Sequence, residues 1–201
     1  KFLSDEEVVS EVEACERQGH KRLLMLCGES PRYTVDDFIR QLVLAGDVKT
    51  EPHGEIRRIN VELPSLSISD FKRLKATDKV GTYALFQESY HAKTYRRVHT
   101  AGAKSDFENR IVTMDRCQLG GIDDVGLGVL YGLHDYKFET LGLLQHAEHL
   151  DKTFGTGPHT ISIPRLQPAQ NAPISQNVPH PVSDKDFRKL VAVIRCMTPY
   201  T

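Results

Sequence analysis

Residues Gly120–Leu133 read GGIDDVGLGVLYGL, with glycine at 120, 121, 126, 128 and 132. The middle of this run, Asp124–Leu130, reads as a buried strand. Glycine weakens a strand interior, so Gly126 and Gly128 mark either a bulge or a close approach by another backbone or a ligand.

Working outward, five more runs have the same character: RLLML (Arg22–Leu26), IRRINVEL (Ile56–Leu63), GTYALF (Gly81–Phe86), TISIP (Thr160–Pro164) and LVAVI (Leu190–Ile194). They recur at about 25 to 45 residues, the period of successive βα units. Helix-start signals fall between them. Ser4-Asp-Glu-Glu7, Ser105-Asp-Phe-Glu108 and Ser183-Asp-Lys-Asp186 fit or approach the capping box, and Thr34 and Ser69 are candidate caps. After Ser105, the residues Phe107, Ile111, Met114 and Leu119 predict a one-sided apolar helix.

Alternating strand and helix predict a parallel sheet, curled toward a barrel by right-handed crossovers. A complete (β/α) barrel has about eight strands and about 250 residues. The expected fold class is therefore α/β, a partial TIM-type (β/α) barrel of about six parallel strands, forming one domain over residues 1–201. Residues 164–182 hold half of the ten prolines and read as a surface excursion within that domain. The chain starts at Lys1 beside a helix start and stops after VAVIRCMTPYT, so both ends are expected to lie inside a longer protein.

Composition narrows the partners. A formal net charge of −1 gives no basic excess, so neither nucleic acid nor an anionic membrane surface is expected. No apolar run is long enough to cross a bilayer. Cys15, Cys27, Cys117 and Cys196 are scattered without paired spacing, which reads as reduced thiols, not a disulfide framework.

A barrel places its site at the C-terminal ends of its strands. The segments there are CGES (Cys27–Ser30), ELPS (Glu62–Ser65), QESYH (Gln87–His91), GLHD (Gly132–Asp135), then Arg165 and Arg195. Arg58, Asn60 and Glu62 share one strand face, opposite Ile59, Val61 and Leu63. That face is either solvated on an edge strand or turned to a lumen that holds a polar ligand. In HAEH, His146 and His149 match no zinc-protease helix motif and read as partly exposed surface histidines. Tyr90, Tyr95, Arg96 and Arg97 read as a solvated helix face.

Taken together, GTYALFQESYHAKTYRRVH, KSDFENRIVTMDRCQLGGIDDVGLGVLYGL, HAEHL and GPHTISIPR resemble the radical SAM tyrosine lyases, over nearly the whole chain and in order. The wording lies closer to the hydrogenase-maturing branch than to the thiazole-forming one. The resemblance implies a [4Fe–4S] cluster that reduces S-adenosyl-L-methionine (SAM) to release a 5′-deoxyadenosyl radical. Tyrosine is the implied substrate, cleaved at Cα–Cβ to p-cresol and dehydroglycine. Hydrogenase maturation proteins are the implied partners. The implied compartment is the cytoplasm of an anaerobe, or a chloroplast or hydrogenosome in a eukaryote.

Site residues follow from the same resemblance. Gly28 and Glu29 correspond to the end of the GGE element that receives the SAM amino group, with Cys27 in place of its first glycine. Glu88, beside Gln87, corresponds to the acid that meets the same amino group, and Arg110 to the arginine that pairs with the SAM carboxylate. A fixed anion and a fixed cation suit a zwitterion. Gly126 and Gly128 would let the backbone approach the adenosine, and Asn60 would join the cofactor-binding set. His159, Ser162 and Arg165 lie on the strand expected to face tyrosine, with His159 and Arg165 on one face by alternation and expected to be catalytic. The C-x-x-x-C-x-x-C cluster loop is absent from these residues and is expected before Lys1. The alternatives are the thiazole-forming type of the same lyase, a non-catalytic barrel remnant, and a metal- or Schiff-base-using barrel. No lysine ends a predicted strand, which counts against the Schiff-base version.

Overall fold

The computed structural model describes residues 2–201. The chain divides into two compact units, Lys1–Tyr83 with Arg116–Ile122, and Ala84–Asp115 with Asp123–Thr201.

In the first unit, α1 (Asp5–Arg17) begins where Ser4 accepts the Glu7 N–H and the Glu7 carboxylate accepts the Ser4 N–H, as the capping box requires. Then come β1 (Arg22–Leu26) and α2 (Val35–Asp47), the latter boxed by Thr34 and Asp37. A short antiparallel pair, β2 (Lys49–Thr50) and β3 (Gly54–Glu55), leads to β4 (Arg58–Glu62). The cap of α3 (Ile68–Ala76) is Ser67, not the expected Ser69. Ser67 has the extended backbone a cap needs and accepts the Asp70 N–H, which leaves Ser69 inside the first turn.

β5 (Val80–Glu88) starts in this unit, where the strand order is β1-β4-β5. β1 and β4 are parallel, Arg22 opposite Arg58 and Leu26 opposite Glu62. β4 is therefore an inner strand, which removes the edge-strand reading of its polar face. Its other face buries Ile59 and Val61, and Val8, Val12, Phe38, Leu42, Phe71 and Leu74 are buried in the same unit. Each such side chain contributes about 1.5–3 kcal/mol on burial.

In the second unit, β5 is followed by α4 (Ala92–Val98), one 3₁₀ turn (Ala103–Ser105), α5 (Phe107–Ile111) and the start of α6 (Thr113–Leu119). The expected single helix after Ser105 is two helices, and the cap is Asp106, which accepts the Asn109 N–H. The chain leaves helical geometry at Val112, so the stripe loses register: Met114 is buried while Leu119 is exposed. β6 (Val125–Val129) is buried throughout. α7 (Tyr136–Phe154) runs from its Asp135 cap to Gly155, whose φ of +73° is the left-handed stop that glycine tolerates best.

β7 (Thr160–Ser162) lies parallel to β6, and the order here is β5-β6-β7. The Pro-rich excursion contains only the one-turn α8 (Pro173–Gln176). It is tied down by bonds from the Leu166 and His180 N–H groups to the Tyr131 and Gly132 carbonyls, 2.7 and 3.0 Å.

LVAVI is not a strand. It lies inside α9 (Asp184–Met197), where Leu190 and Ile194 are buried four residues apart and Val191 and Val193 face solvent. β-branching favours a strand only weakly. The Ser183 cap and the one-sided burial decide for a helix. Five of the six expected strands stand, in a mostly parallel, open α/β arrangement with helices between the strands. No helix among the described residues is long and apolar enough to cross a membrane.

Candidate functional site

The end of β5 gathers the ionic groups. Glu88 closes the strand with φ +68°, a conformation that a residue with a Cβ adopts only where its surroundings enforce it. Its carbonyl accepts the Leu130 N–H at 2.9 Å, just past the end of β6. Its carboxylate accepts Lys104 Nζ at 2.6 Å and lies 3.7 Å from an Arg110 nitrogen. Arg110, on α5, is buried and donates Nε to the Phe86 carbonyl at 2.8 Å. Gln87 is buried, and its amide nitrogen has no acceptor. Close by, His99 is held below the ordinary imidazole range, first by burial and then by the Lys104 charge.

The structure brings Glu88 and Arg110 within 3.7 Å and adds Lys104, which sequence reasoning missed. That lysine stands in a turn, where no periodicity points to it. The 3₁₀ turn and the Tyr95 hydroxyl, which donates to the Lys104 carbonyl, bring it to Glu88.

Gly126 and Gly128 lie on β6 beside this site, Gly128 level with Ser162 of β7. The room that side chains would need there is filled from β5. A Cβ on Gly128 would stand 2.6 Å from Phe86 Cγ, and one on Gly126 would stand 3.0 Å from Ala84 Cβ. The close approach is therefore by a neighbouring strand's side chains.

His159 and Arg165 are not brought together. His159 precedes β7, is exposed, and donates its backbone N–H to Val125 at the start of β6. Arg165 follows β7, about 20 Å further along extended chain. There its guanidinium donates to the Val182 carbonyl and to Asp184, 3.1 and 2.6 Å, and lies over the Phe187 ring at 4.7 Å.

In the first unit, Gly28 and Glu29 are exposed beyond β1. Burial pushes the neighbouring Cys27 thiol up to about 11. Asn60 Oδ1 accepts Arg58 Nε and the Thr82 N–H, both at 3.2 Å, so it is bound within the sheet.

Behind the loop after β5, Glu139 of α7 is fully buried and accepts the Ser89 hydroxyl and the Tyr90 N–H. Burial raises its carboxyl above the usual range, against the pull of these bonds. The HAEH histidines are partly exposed, as read, but they are not alike. His146 is largely covered, bonds the Tyr90 hydroxyl through Nδ1 at 3.0 Å, and is pushed down to about 4 by burial. His149 is exposed and meets Asp115 at 2.6 Å. Both line a cavity of about 650 Å³ with Val112, Phe138 and Leu141. Tyr95 is buried, so the solvated face read at Tyr90–Arg97 narrows to its arginines.

No family model matches the chain. It is 29% identical over 195 residues to 2-iminoacetate synthase of Escherichia coli (strain K12), covering 96% of this chain and 48% of that one. The Salmonella typhimurium 2-iminoacetate synthase gives 29% over 196 residues, with 96% and 48% covered. The chain spans about half the length of the curated relatives it matches.

Among solved structures, HydG, a maturase of the [FeFe]-hydrogenase, superposes with a TM-score of 0.95 at 50% identity, covering 100% of this chain and 44% of that one. HydG of Carboxydothermus hydrogenoformans gives 0.88 at 43%, with 100% and 45% covered. Methylornithine synthase (PylB), at 17% identity and 0.76, covering 100% and 54%, shares the fold. The class is that of the radical SAM barrels, whose chemistry uses SAM and a [4Fe–4S] cluster. Within it the chain is HydG-like and similar to 2-iminoacetate synthase.

Proposed function

We propose that the chain is part of a HydG-type radical SAM lyase. Such an enzyme cleaves the Cα–Cβ bond of tyrosine to p-cresol and dehydroglycine, whose fragment goes on to carbon monoxide and cyanide for the [FeFe]-hydrogenase. The observation that carries this reading is the acid–guanidinium pair of Glu88 and Arg110 at the end of β5, in a chain 50% identical to HydG over its whole length.

The residues present fit the amino-acid end of SAM. Glu88 offers a fixed anion to the ammonium, and Arg110 a buried positive charge toward the carboxylate. The Gln87 amide nitrogen, one residue before Glu88 in β5, is buried and without an acceptor. The forced backbone of Glu88 belongs with this role, since such conformations gather at ligand clamps. Gly126 and Gly128 clear β6 for the side chains of Ala84 and Phe86 on β5. In the first unit, Gly28 and Glu29 offer exposed backbone beyond β1, and Asn60 stiffens the strand beside them. Arg165 stands past the end of β7, where a barrel keeps its substrate, and orders the excursion there. His159, at the opposite end of β7, is given no part.

When bound, SAM supplies the hydrogen-abstracting chemistry. A cluster does not fit the described residues. Their four cysteines form no disulfide, and among the described residues no group of three or more His, Cys, Asp or Glu can hold a metal ion.

The second reading is a 2-iminoacetate synthase of the ThiH type, supported by 29% identity over 96% of the chain. Full-length protein, reconstituted with cluster and given tyrosine, SAM and a reductant, tests both. p-Cresol with carbon monoxide and cyanide supports the first. p-Cresol with glyoxylate alone supports the second. No p-cresol from a loaded, SAM-binding protein removes both.

A further inference from the structure

The Glu88 carboxylate already carries a cation, and that cation is Lys104 at 2.6 Å; Arg110 stands further off at 3.7 Å. The three side chains differ in access: 6% exposed for Arg110, 13% for Glu88 and 37% for Lys104. Arg110 also gives its Nε to the Phe86 carbonyl, so moving it would strip a buried main-chain bond. Lys104 can change partner without opening the interior. Its ammonium rides on a flexible four-carbon stem, while its backbone is held by the Tyr95 hydroxyl. Glu88 has less reach, with a two-carbon stem, a 13% exposed side chain and a backbone at φ +68° bonded to Leu130.

We propose that Lys104 is the exchangeable cation of this site. An α-amino-acid zwitterion takes Glu88 with its ammonium, and Lys104 moves from Glu88 onto the carboxylate of the same molecule. One internal ion pair is replaced by two intermolecular ones, and no charge is left without a partner. A ligand with only an ammonium would leave two cations competing for Glu88. A ligand with only a carboxylate would find Lys104 already engaged. The exchange therefore selects for the zwitterion, by repulsion as much as by attraction. Arg110 stays in place as the fixed positive charge, and Lys104 is the mobile one. This rests on the reading of Glu88 as the ammonium acceptor and adds the residue that makes the site selective.

Calorimetric titration of the full-length protein with two unreactive probes tests it. S-adenosylhomocysteine carries the zwitterion, whereas 5′-methylthioadenosine keeps the nucleoside and sulfur without it. Lys104→Met should weaken the first by about tenfold or more, the scale of a lost charged hydrogen bond. It should leave the second unchanged, and Lys104→Arg should recover most of the loss. Unchanged or tighter S-adenosylhomocysteine binding in Lys104→Met overturns the proposal, since Lys104 would then be a bystander or a blocker. Equal loss for both probes overturns it too, as a structural role would. If folded wild-type protein binds neither probe, the reading of Glu88 fails and takes the proposal with it.

Discussion

The ring of Phe86 lies over Gly128 so closely that a Cβ there would stand 2.6 Å from Phe86 Cγ and 2.9 Å from Cε1. Glycine at 128 is thus the condition for Phe86 to sit across β6. Gly128→Ala should destabilise the protein by about 1–3 kcal/mol, the usual cost of overpacking. Gly126→Ala, whose tightest contact would be Ala84 Cβ at 3.0 Å, should cost less. Adding Phe86→Leu to Gly128→Ala should recover part of the loss, a coupling that a double-mutant cycle of thermal midpoints reads directly. Strict additivity would show that the ring is not what excludes the side chain.

Glu139 ties the loop after β5 to α7 through the Ser89 hydroxyl and the Tyr90 N–H. Glu139→Ala should cost about 2–4 kcal/mol, because it leaves buried donors without an acceptor. Glu139→Gln keeps one oxygen and should fall in between. Burial raises the folded-state carboxyl above its unfolded value, so this group's contribution is full in acid and falls as pH rises through the folded value. Urea titrations across that range should show a downward slope in wild type that is reduced in Glu139→Gln.

His146 works in the opposite sense. Its folded value of about 4, against an ordinary 6.5, makes the neutral ring the native form. The associated stability is complete above about pH 6.5 and is lost as pH falls toward 4, roughly 3 kcal/mol in all. His146→Phe should flatten this acid limb. Tyr90→Phe removes the hydroxyl that bonds Nδ1 and should destabilise by about 1–3 kcal/mol at neutral pH. An acid limb unchanged in His146→Phe would assign it to other groups.

α9 supplies a direct contrast. Leu190→Ala should cost about 2–4 kcal/mol, since its side chain is buried. Val191→Ala, at an exposed position of the same helix, should be within about 0.5 kcal/mol of neutral and should raise helix propensity. Equal losses at the two positions would argue for a two-faced strand.

Much of this was legible before any coordinates. Ser4, Thr34 and Ser183 announced three helices because a hydroxyl that caps N–H groups acts within four residues. Five strands and the βα alternation were readable for the same reason, as periodicity is local. Where two local signals conflicted, the reading failed. LVAVI has strand composition and helical spacing, and only the buried face of α9 chose between them. The break at Val112 and the Ser67 cap turned on one or two residues' backbone angles, which composition does not carry.

The chain's own order of residues determined an α/β fold and put Gln87 and Glu88 at a strand end, with Arg110 on a helix that follows. Tertiary structure decided what those groups touch. Lys104 lies 16 residues from Glu88, and His146 lies 56 from Tyr90. Contacts of that kind exist only once the strands have brought distant turns together. It also decided that Phe86 fills the space over Gly128, and that His159 and Arg165 stand at opposite ends of β7. A sequence carries short-range hydrogen-bonding and burial preferences directly, whereas the partner of a charge is set by where the whole chain leaves it.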